Sequence, residues 1–303
     1  MKEFEFIELL KEKCKECDST LGIGDDAALF DNFLVAKDIV CEGVHFLKTT
    51  PAEDVILKVF SANISDIAAM GGTPKYVLLG IAVPESREGE KKNIIDSIKK
   101  SAGIYGVEIV GGDTTSAAND LFVSLTVIGE KGRFLLSRGG AGEDERVYLS
   151  RPLGLARISL EKELGAGFDI DPYQHYKIMA EKELGKVLGD VGTVTSCIDI
   201  SDGLGRDASH LSEESGLKIV IEEKRLPFSH LQPFDVDKVD YFINSGEEFA
   251  LLFTAKKEHA ADSYLKEKGF EVYDIGYTQK GSGVFLDNGK KRVNISSKGY
   301  EHT

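Results

Sequence analysis

"GIGDDAALFDNFLVAKDIV", Gly22 to Val40, sets two adjacent carboxylates, Asp25 and Asp26, between a glycine-rich turn and an apolar run. The apolar residues on either side of Asp31-Asn32, a favoured turn pair, predict two short strands joined as a hairpin. A two-residue loop there brings Asp25 opposite Asp38 and Asp26 opposite Lys37. Three carboxylates then crowd one end of the hairpin and repel unless a cation lies among them. The stretch also satisfies G-x-G-x-x-A, the loose dinucleotide-binding pattern, but that motif must leave a strand and open a helix. Here a helix-like segment precedes it and a strand follows, and two bare aspartates would repel a pyrophosphate. A dinucleotide site is therefore rejected, which leaves an ordinary turn or part of a metal site.

Downstream, Thr50, Pro51 and Glu53 form a capping-box pattern ahead of a helix that Gly71-Gly72 and Pro74 stop. That helix is apolar nearly all round and should be buried, yet Asn63 and Asp66 share one of its faces. No Lys or Arg stands within a turn of Asp66, so a buried carboxylate there needs another partner. Strands follow at 76–84, 107–115 and 121–130, with a helix at 88–104 between the first two. The composition then shifts to "KGRFLLSRGGAGEDE", where a domain boundary is placed. Beyond it come the strand "RVYLS", helical stretches to about 190, and "TSCIDISDGLGRDASHL", a strand passing into a helix. "EEFALLFTA" and "EVYDIGY" are strands, 257–268 a helix, and "VFLDNGKKRVNI" a hairpin turning at Asn288-Gly289. Both halves mix helices and strands, which makes this an α/β protein of α+β type, with domains at 1–135 and 136–303.

The chain has 303 residues, 42% of them apolar, and a formal net charge of −14. Such acidity argues against nucleic-acid and anionic-membrane partners, whose phosphates attract basic surfaces. No apolar run approaches the roughly 18 residues of a membrane span, and the N-terminus reads as an amphipathic helix without a signal-peptide centre. A cytoplasmic protein is expected. Cys14 and Cys17 form one C-x-x-C, but no second pair stands at zinc spacing, so they read as incidental thiols.

The doubled Asp has company. Asp26, Asp38, Asp66, Asp113, Asp199 and Asp202 all sit at element ends or on the buried helix face, several beside glycines that allow close approach. Aspartates with small neighbours and few basic partners suit Mg²⁺, a hard cation that shares phosphate oxygens with carboxylates. No G-x-x-x-x-G-K-[ST], no G-x-S-x-G and no cysteine in an electropositive loop is present, which removes P-loop and nucleophilic-catalysis readings.

"GIGDDAA", "D-x-x-x-EGVHF" from Asp38, "NISDIAAMGGTP", "VGGDTT", "IDISDGL", "GEEFALLFT" and the terminal "GYEHT" occur in this order along nearly the whole chain. In order and spacing the chain resembles the thiamine-monophosphate kinases, relatives of aminoimidazole ribonucleotide and selenophosphate synthetases. The resemblance implies a two-domain synthetase-like fold, with an N-terminal mixed sheet and helices forming a homodimer interface and a C-terminal α/β sandwich. It implies ATP as co-substrate, several Mg²⁺ ions, and transfer of the γ-phosphoryl of ATP onto thiamine phosphate. By the same resemblance Asp26, Asp38, Asp66, Asp113, Asp199 and Asp202 hold metal. Tyr105, Gly112, Asp113, Arg138 and Ser201 contact nucleotide, and His45, Glu247 and Tyr300 contact thiamine phosphate. No general base is expected, because the acceptor is already an oxyanion and the obstacle is repulsion between two anions.

Three positions depart from the family pattern. Ala36-Lys37 replaces small hydroxyl residues before Asp38, the loop after Arg138 ends in Asp144-Glu145, and Gly246-Glu247-Glu248-Phe249 stands for G-E-D-Y. A related ATP-dependent synthetase with another acceptor, or a lapsed MgATP-binding protein, stays open as an alternative.

Overall fold

The computed structural model describes residues 6–7, 9–10, 21–259 and 261–300. Most of the N-terminal segment, including Cys14 and Cys17, and the final three residues lie outside the described residues. The expected hairpin is β1 (Ala28–Phe30) and β2 (Phe33–Cys41), with Ala28 opposite Val35 and Leu29 opposite Leu34. This is the register read from the turn pair, but the ladder ends at Ala28 and does not reach the aspartates. The helix α1 (Ala52–Ala69) is buried through most of its length, as its all-round apolar sequence requires. Its capping box does not form: Pro51 is the N-cap without a side-chain hydrogen bond. Thr50 Oγ1 instead accepts from Leu47 N and donates to the distant Glu163.

β3 (Thr73–Pro84), α2 (Lys91–Tyr105) and β4 (Glu108–Ala117) make a parallel crossover unit, and β5 (Phe122–Glu130) inserts between β2 and β3. The resulting five-stranded sheet has the order β1-β2-β5-β3-β4. Its inner face packs Leu34, Val77, Val123 and Leu125 against Phe60 and Ile64 of α1. Fully burying side chains of this size is worth about 1.5–3 kcal/mol each. The outer face carries Phe33, Ile39, Tyr76, Leu78 and Phe122, all partly open to solvent.

The second half contains β6 (Arg146–Leu149), α3 (Leu155–Glu163), α4 (Lys182–Val191), β7 (Val194–Asp199), α5 (Leu204–Ser215) and β8 (Leu217–Glu222). α6 (Lys238–Asn244), β9 (Leu251–Ala255), α7 (Ala261–Glu267), β10 (Tyr273–Lys280), β11 (Val284–Asp287) and β12 (Arg292–Asn294) complete it. Seven strands form one sheet in the order β12-β11-β8-β10-β6-β9-β7. β8 was not anticipated, although "LKIVIE" is apolar and β-branched enough for a buried strand. β9 starts at Leu251, later than its sequence suggests, because Glu247 and Phe249 adopt left-handed φ values of 56° and 48°. The last hairpin turns through the four residues 288–291, closed by the Asn288 N–H on Lys291 O.

The halves meet where α4 crosses the end of α1. A Cβ on Gly189 would lie 2.1 Å from Gly71 O, and one on Gly185 would lie 2.4 Å from Ala68 O. Only glycine permits that backbone approach. The crossing brings the polar face of α1 against the end of β7.

Candidate active site

Three elements from distant parts of the chain converge at this seam. The turn before β1 brings Asp26, α1 brings Asp66, and the end of β7 brings Asp199. One carboxylate oxygen from each lies within 4.8 Å of the others. Asp38 joins them from β2, close enough for its charge to push the Asp66 carboxyl up. The Asn63 carbonyl oxygen accepts the Asp38 backbone N–H at 3.1 Å, and its amide donates to Val59 O at 2.9 Å. Asn63 therefore registers β2 on α1. Ser65 donates to Asp199 Oδ2 at 2.6 Å.

These carboxylates are protonated far more readily than ordinary ones. Burial pushes Asp199 up to about 8, with the Asp26 charge adding to it. Asp38 is pushed up to about 6 by burial and Asp25 to about 7 by burial together with Asp26. Burial, Asp38 and Asp199 hold Asp66 well above the usual range. The cation that the cluster does have is Arg138, whose Nε and Nη2 donate to Asp26 Oδ1 at 3.2 and 2.7 Å. Asp25 accepts the Arg138 backbone N–H at 3.2 Å and thus shapes the turn on which Asp26 is held. Lys37 is not that cation. Neighbouring side chains on a strand point to opposite faces, so Asp38 faces α1 while Lys37 turns outward to Ser124 Oγ at 2.5 Å. The expected Asp26–Lys37 apposition is corrected accordingly.

Asp26 Oδ2 and Asp38 Oδ2 are buried and accept no hydrogen bond. Buried polar atoms are nearly always partnered. Two orphaned carboxylate oxygens beside three converging ones fit a hard divalent cation, whose ligands are oxygens.

The remaining sequence-stated positions divide. Asp202 lies in the turn after β7, where its carbonyl accepts the Tyr300 N–H at 2.9 Å. Ser201 is exposed in the same turn, and its carbonyl accepts the Glu247 N–H at 2.7 Å. Asp207 organises this turn, one carboxylate oxygen accepting the N–H groups of Ser201, Asp202 and Gly203. Its position in the first turn of α5 was the available signal, and the sequence reading passed over it. Asp113 and Gly112 lie on the exposed edge strand β4, and the structure does not bring Asp113 into the trio. Gly112 is there because a Cβ would sit 1.9 Å from Leu79 O. Tyr105 is only 3% exposed, and its hydroxyl is spent on Ser61 at 2.7 Å and the Ala180 N–H at 3.0 Å. The fold thus uses the Tyr105 hydroxyl internally.

His45 and Glu247 come together through a residue the sequence reading missed. Lys58 of α1 donates to His45 O at 2.7 Å and pairs with Glu247 Oε1 at 2.6 Å. A single lysine in an otherwise apolar helix stretch was the signal. The Cys41 N–H donates to His45 Nδ1 at 3.1 Å, so the neutral ring carries its proton on Nε2. Tyr300 is exposed, close to Asp202 through the backbone.

The departures from the family pattern also find physical reasons. Glu248 is buried, and its Oε1 accepts the Gly154 and Ala156 N–H groups at the start of α3, together with Ser245 Oγ. A carboxylate at a helix N-terminus is favourable. Glu145 is buried beside Gly142 and accepts from Thr195 Oγ1 at 2.5 Å, which folds the loop after Arg138 onto β7.

Comparison with known proteins identifies two family regions: AIR synthase related protein, N-terminal domain, over residues 24–130, and the C-terminal domain over residues 143–287. The chain is 33% identical to a thiamine-monophosphate kinase of Aquifex aeolicus, covering 99% of this chain and 97% of that one. It is 32% identical to the thiamine-monophosphate kinase of Bacillus subtilis, covering 100% and 99%. Among solved structures, "AaThiL complexed with AMPPCP and TMP" matches with a TM-score of 0.86 at 30% identity over 100% of this chain and 97% of that one. A chain of the HypE-HypF complex, at 19% identity over 95% of this chain and 98% of that one, has a TM-score of 0.74 and shares the fold alone.

Proposed function

The chain belongs to the AIR synthase related family and, within it, to the thiamine-monophosphate kinases, and from that premise we propose the following reaction. The phosphate of thiamine phosphate attacks the γ-phosphorus of ATP in line with the departing ADP oxygen, giving thiamine diphosphate and ADP. The observation that carries this reading is the convergence of Asp26, Asp38, Asp66 and Asp199 at the seam between the two sheets, with two buried oxygens unpartnered. That the structurally similar protein is complexed with AMPPCP and TMP supports the same pair of substrates here.

The acceptor is an oxyanion at neutral pH, so no side chain has to take a proton from it. The task of the protein is to hold two polyanions together and to order them. Several Mg²⁺ ions on these four aspartates, with Asp113 and Asp202 joining through the nucleotide phosphates, would neutralise charge that the acidic chain cannot. Arg138 supplies a fixed guanidinium against the phosphates, bidentate in reach and always charged. The turn at Ser201 and the exposed edge strand at Gly112 let backbone approach the nucleotide, with Tyr105 beneath. His45 offers Nε2–H to the acceptor phosphate, Glu247 offers a carboxylate to its cationic ring, and Tyr300 offers an aromatic face.

The halves are taken as 1–135, for metal binding and dimerisation, and 136–303, completing the site, in a cytoplasmic homodimer. The outward face of the five-stranded sheet supports the dimer, because Phe33, Ile39, Tyr76, Leu78 and Phe122 each leave more than a third of their surface open there. Among the described residues no helix is long and apolar enough to cross a membrane.

The reaction is tested by incubating the protein with ATP, Mg²⁺ and thiamine phosphate. Thiamine diphosphate and ADP should appear in equal amounts. ADP formed only with a different acceptor would reassign the chain to another synthetase, and MgATP binding without turnover would make it a binding protein.

A further inference from the structure

Lys58 is buried in the middle of α1, its side chain 5% exposed. Taking an ammonium out of water is costly, so a buried lysine persists where its partners compensate it closely. Its partners come from both halves of the chain. Nζ donates to His45 O at 2.7 Å, pairs with Glu247 Oε1 at 2.6 Å and lies 5.2 Å from the Tyr176 ring centroid. Tyr176 is fixed in turn by donating to Glu163 Oε2 at 2.9 Å. Glu247 has left-handed backbone, uncommon for a residue with a Cβ, and its side chain keeps 34% exposure. One carboxylate oxygen is thus tied to Lys58 while the group as a whole remains reachable from solvent.

We propose that Lys58 is the positioning residue of the acceptor subsite, setting the separation and orientation of His45 and Glu247 without touching the substrate. This rests on the reading of those two residues as the acceptor contacts. The ammonium holds the His45 loop by its carbonyl and fixes Glu247 so that its outward oxygen meets the cationic end of the acceptor. The same hold on its carbonyl sets the direction in which the His45 ring meets the anionic end.

Steady-state kinetics of Lys58→Met, with thiamine phosphate and ATP varied separately, tests the assignment. The KM for thiamine phosphate should rise about tenfold or more, while the KM for ATP stays within about twofold. Lys58→Arg, which keeps the charge, should recover part of the loss. An unchanged KM for thiamine phosphate, or an equal rise in both KM values, overturns the role of Lys58. If Lys58→Met does not fold, Lys58→Arg carries the test alone, with the same selective rise at about threefold expected and its absence decisive. A wild-type chain that leaves thiamine phosphate unphosphorylated overturns the acceptor reading itself, and the assignment with it.

Discussion

Two buried charge clusters flank the same helix and are built on opposite terms. Around residues 42–50, Arg87 donates to Glu42 Oε2 at 2.8 Å, to Glu90 Oε2 at 3.0 Å and to the carbonyls of Lys48 and Thr50. Lys58 closes the other side of that loop. Cations there are matched by acceptors already in the protein, and the loop is held. Across α1, the carboxylates of Asp26, Asp38, Asp66 and Asp199 face one another, and Arg138 answers only Asp26 directly. The first cluster matches its cations to acceptors of its own chain, leaving only Glu42 Oε1 without a hydrogen bond among those carboxylates, whereas the second is short of positive charge. Carboxylates crowded without enough counter-charge can take a cation from outside, whereas Glu42 already has Arg87.

The contrast is broken most sharply at Asp66. Asp66→Asn keeps the shape of the side chain and removes one of the crowded charges, so folding should be retained with an unchanged or higher Tm. Turnover should fall at least about a thousandfold, near 4 kcal/mol in the barrier. Full activity in a folded Asp66→Asn protein would remove the cation site from the mechanism.

Arg87→Met probes the satisfied cluster. It leaves Glu42, buried like Arg87, without its counter-charge, and should cost about 3–5 kcal/mol in denaturant unfolding. A loss below about 1 kcal/mol would mean that water reaches Glu42 and that the loop is not held by this pair.

The most gradual effect is on pH dependence. Asp38, Asp25 and Asp199 titrate near 6, 7 and 8 in the folded chain, all raised from 3.8. Between pH 6 and 8 the native state therefore binds more protons than the unfolded chain, so stability falls as pH rises. Without divalent cation the loss should be on the order of 4 kcal/mol over that range. Added Mg²⁺ should flatten the slope, stabilising most at the alkaline end. His175, buried neutral and lowered to about 4, contributes the opposite slope between its folded value and 6.5, partly offsetting the carboxylates there. A metal-free melting temperature that climbs from pH 6 to 8 would contradict the crowding of the carboxylates.

Much of the fold was legible because the deciding signals are local. Apolar surface on every side of α1 required burial, and Asp31-Asn32 set the β1–β2 register. The errors lie where distant partners intervened. Thr50 looked like a helix cap but is claimed by Glu163, more than a hundred residues away. The strand pattern from Glu247 was interrupted by two left-handed residues, one tied to Lys58 and both bonded through the backbone to the β7 turn.

The sequence by itself determined that Asp66 sat on a buried helix without a nearby cation, and that carboxylates crowded the start of the hairpin. Those conclusions follow from periodicity and charge within one or two turns of chain. It did not determine which cation answered which carboxylate. Lys37, adjacent to Asp38, faces away because strand side chains alternate. Arg138, more than a hundred residues from Asp26, reaches it because the two sheets close on α1. Doubled aspartate after glycine is compatible with many turns; only the packing that brings Asp66 and Asp199 against Asp26 makes it part of a cation site, since electrostatic crowding depends on distance in space.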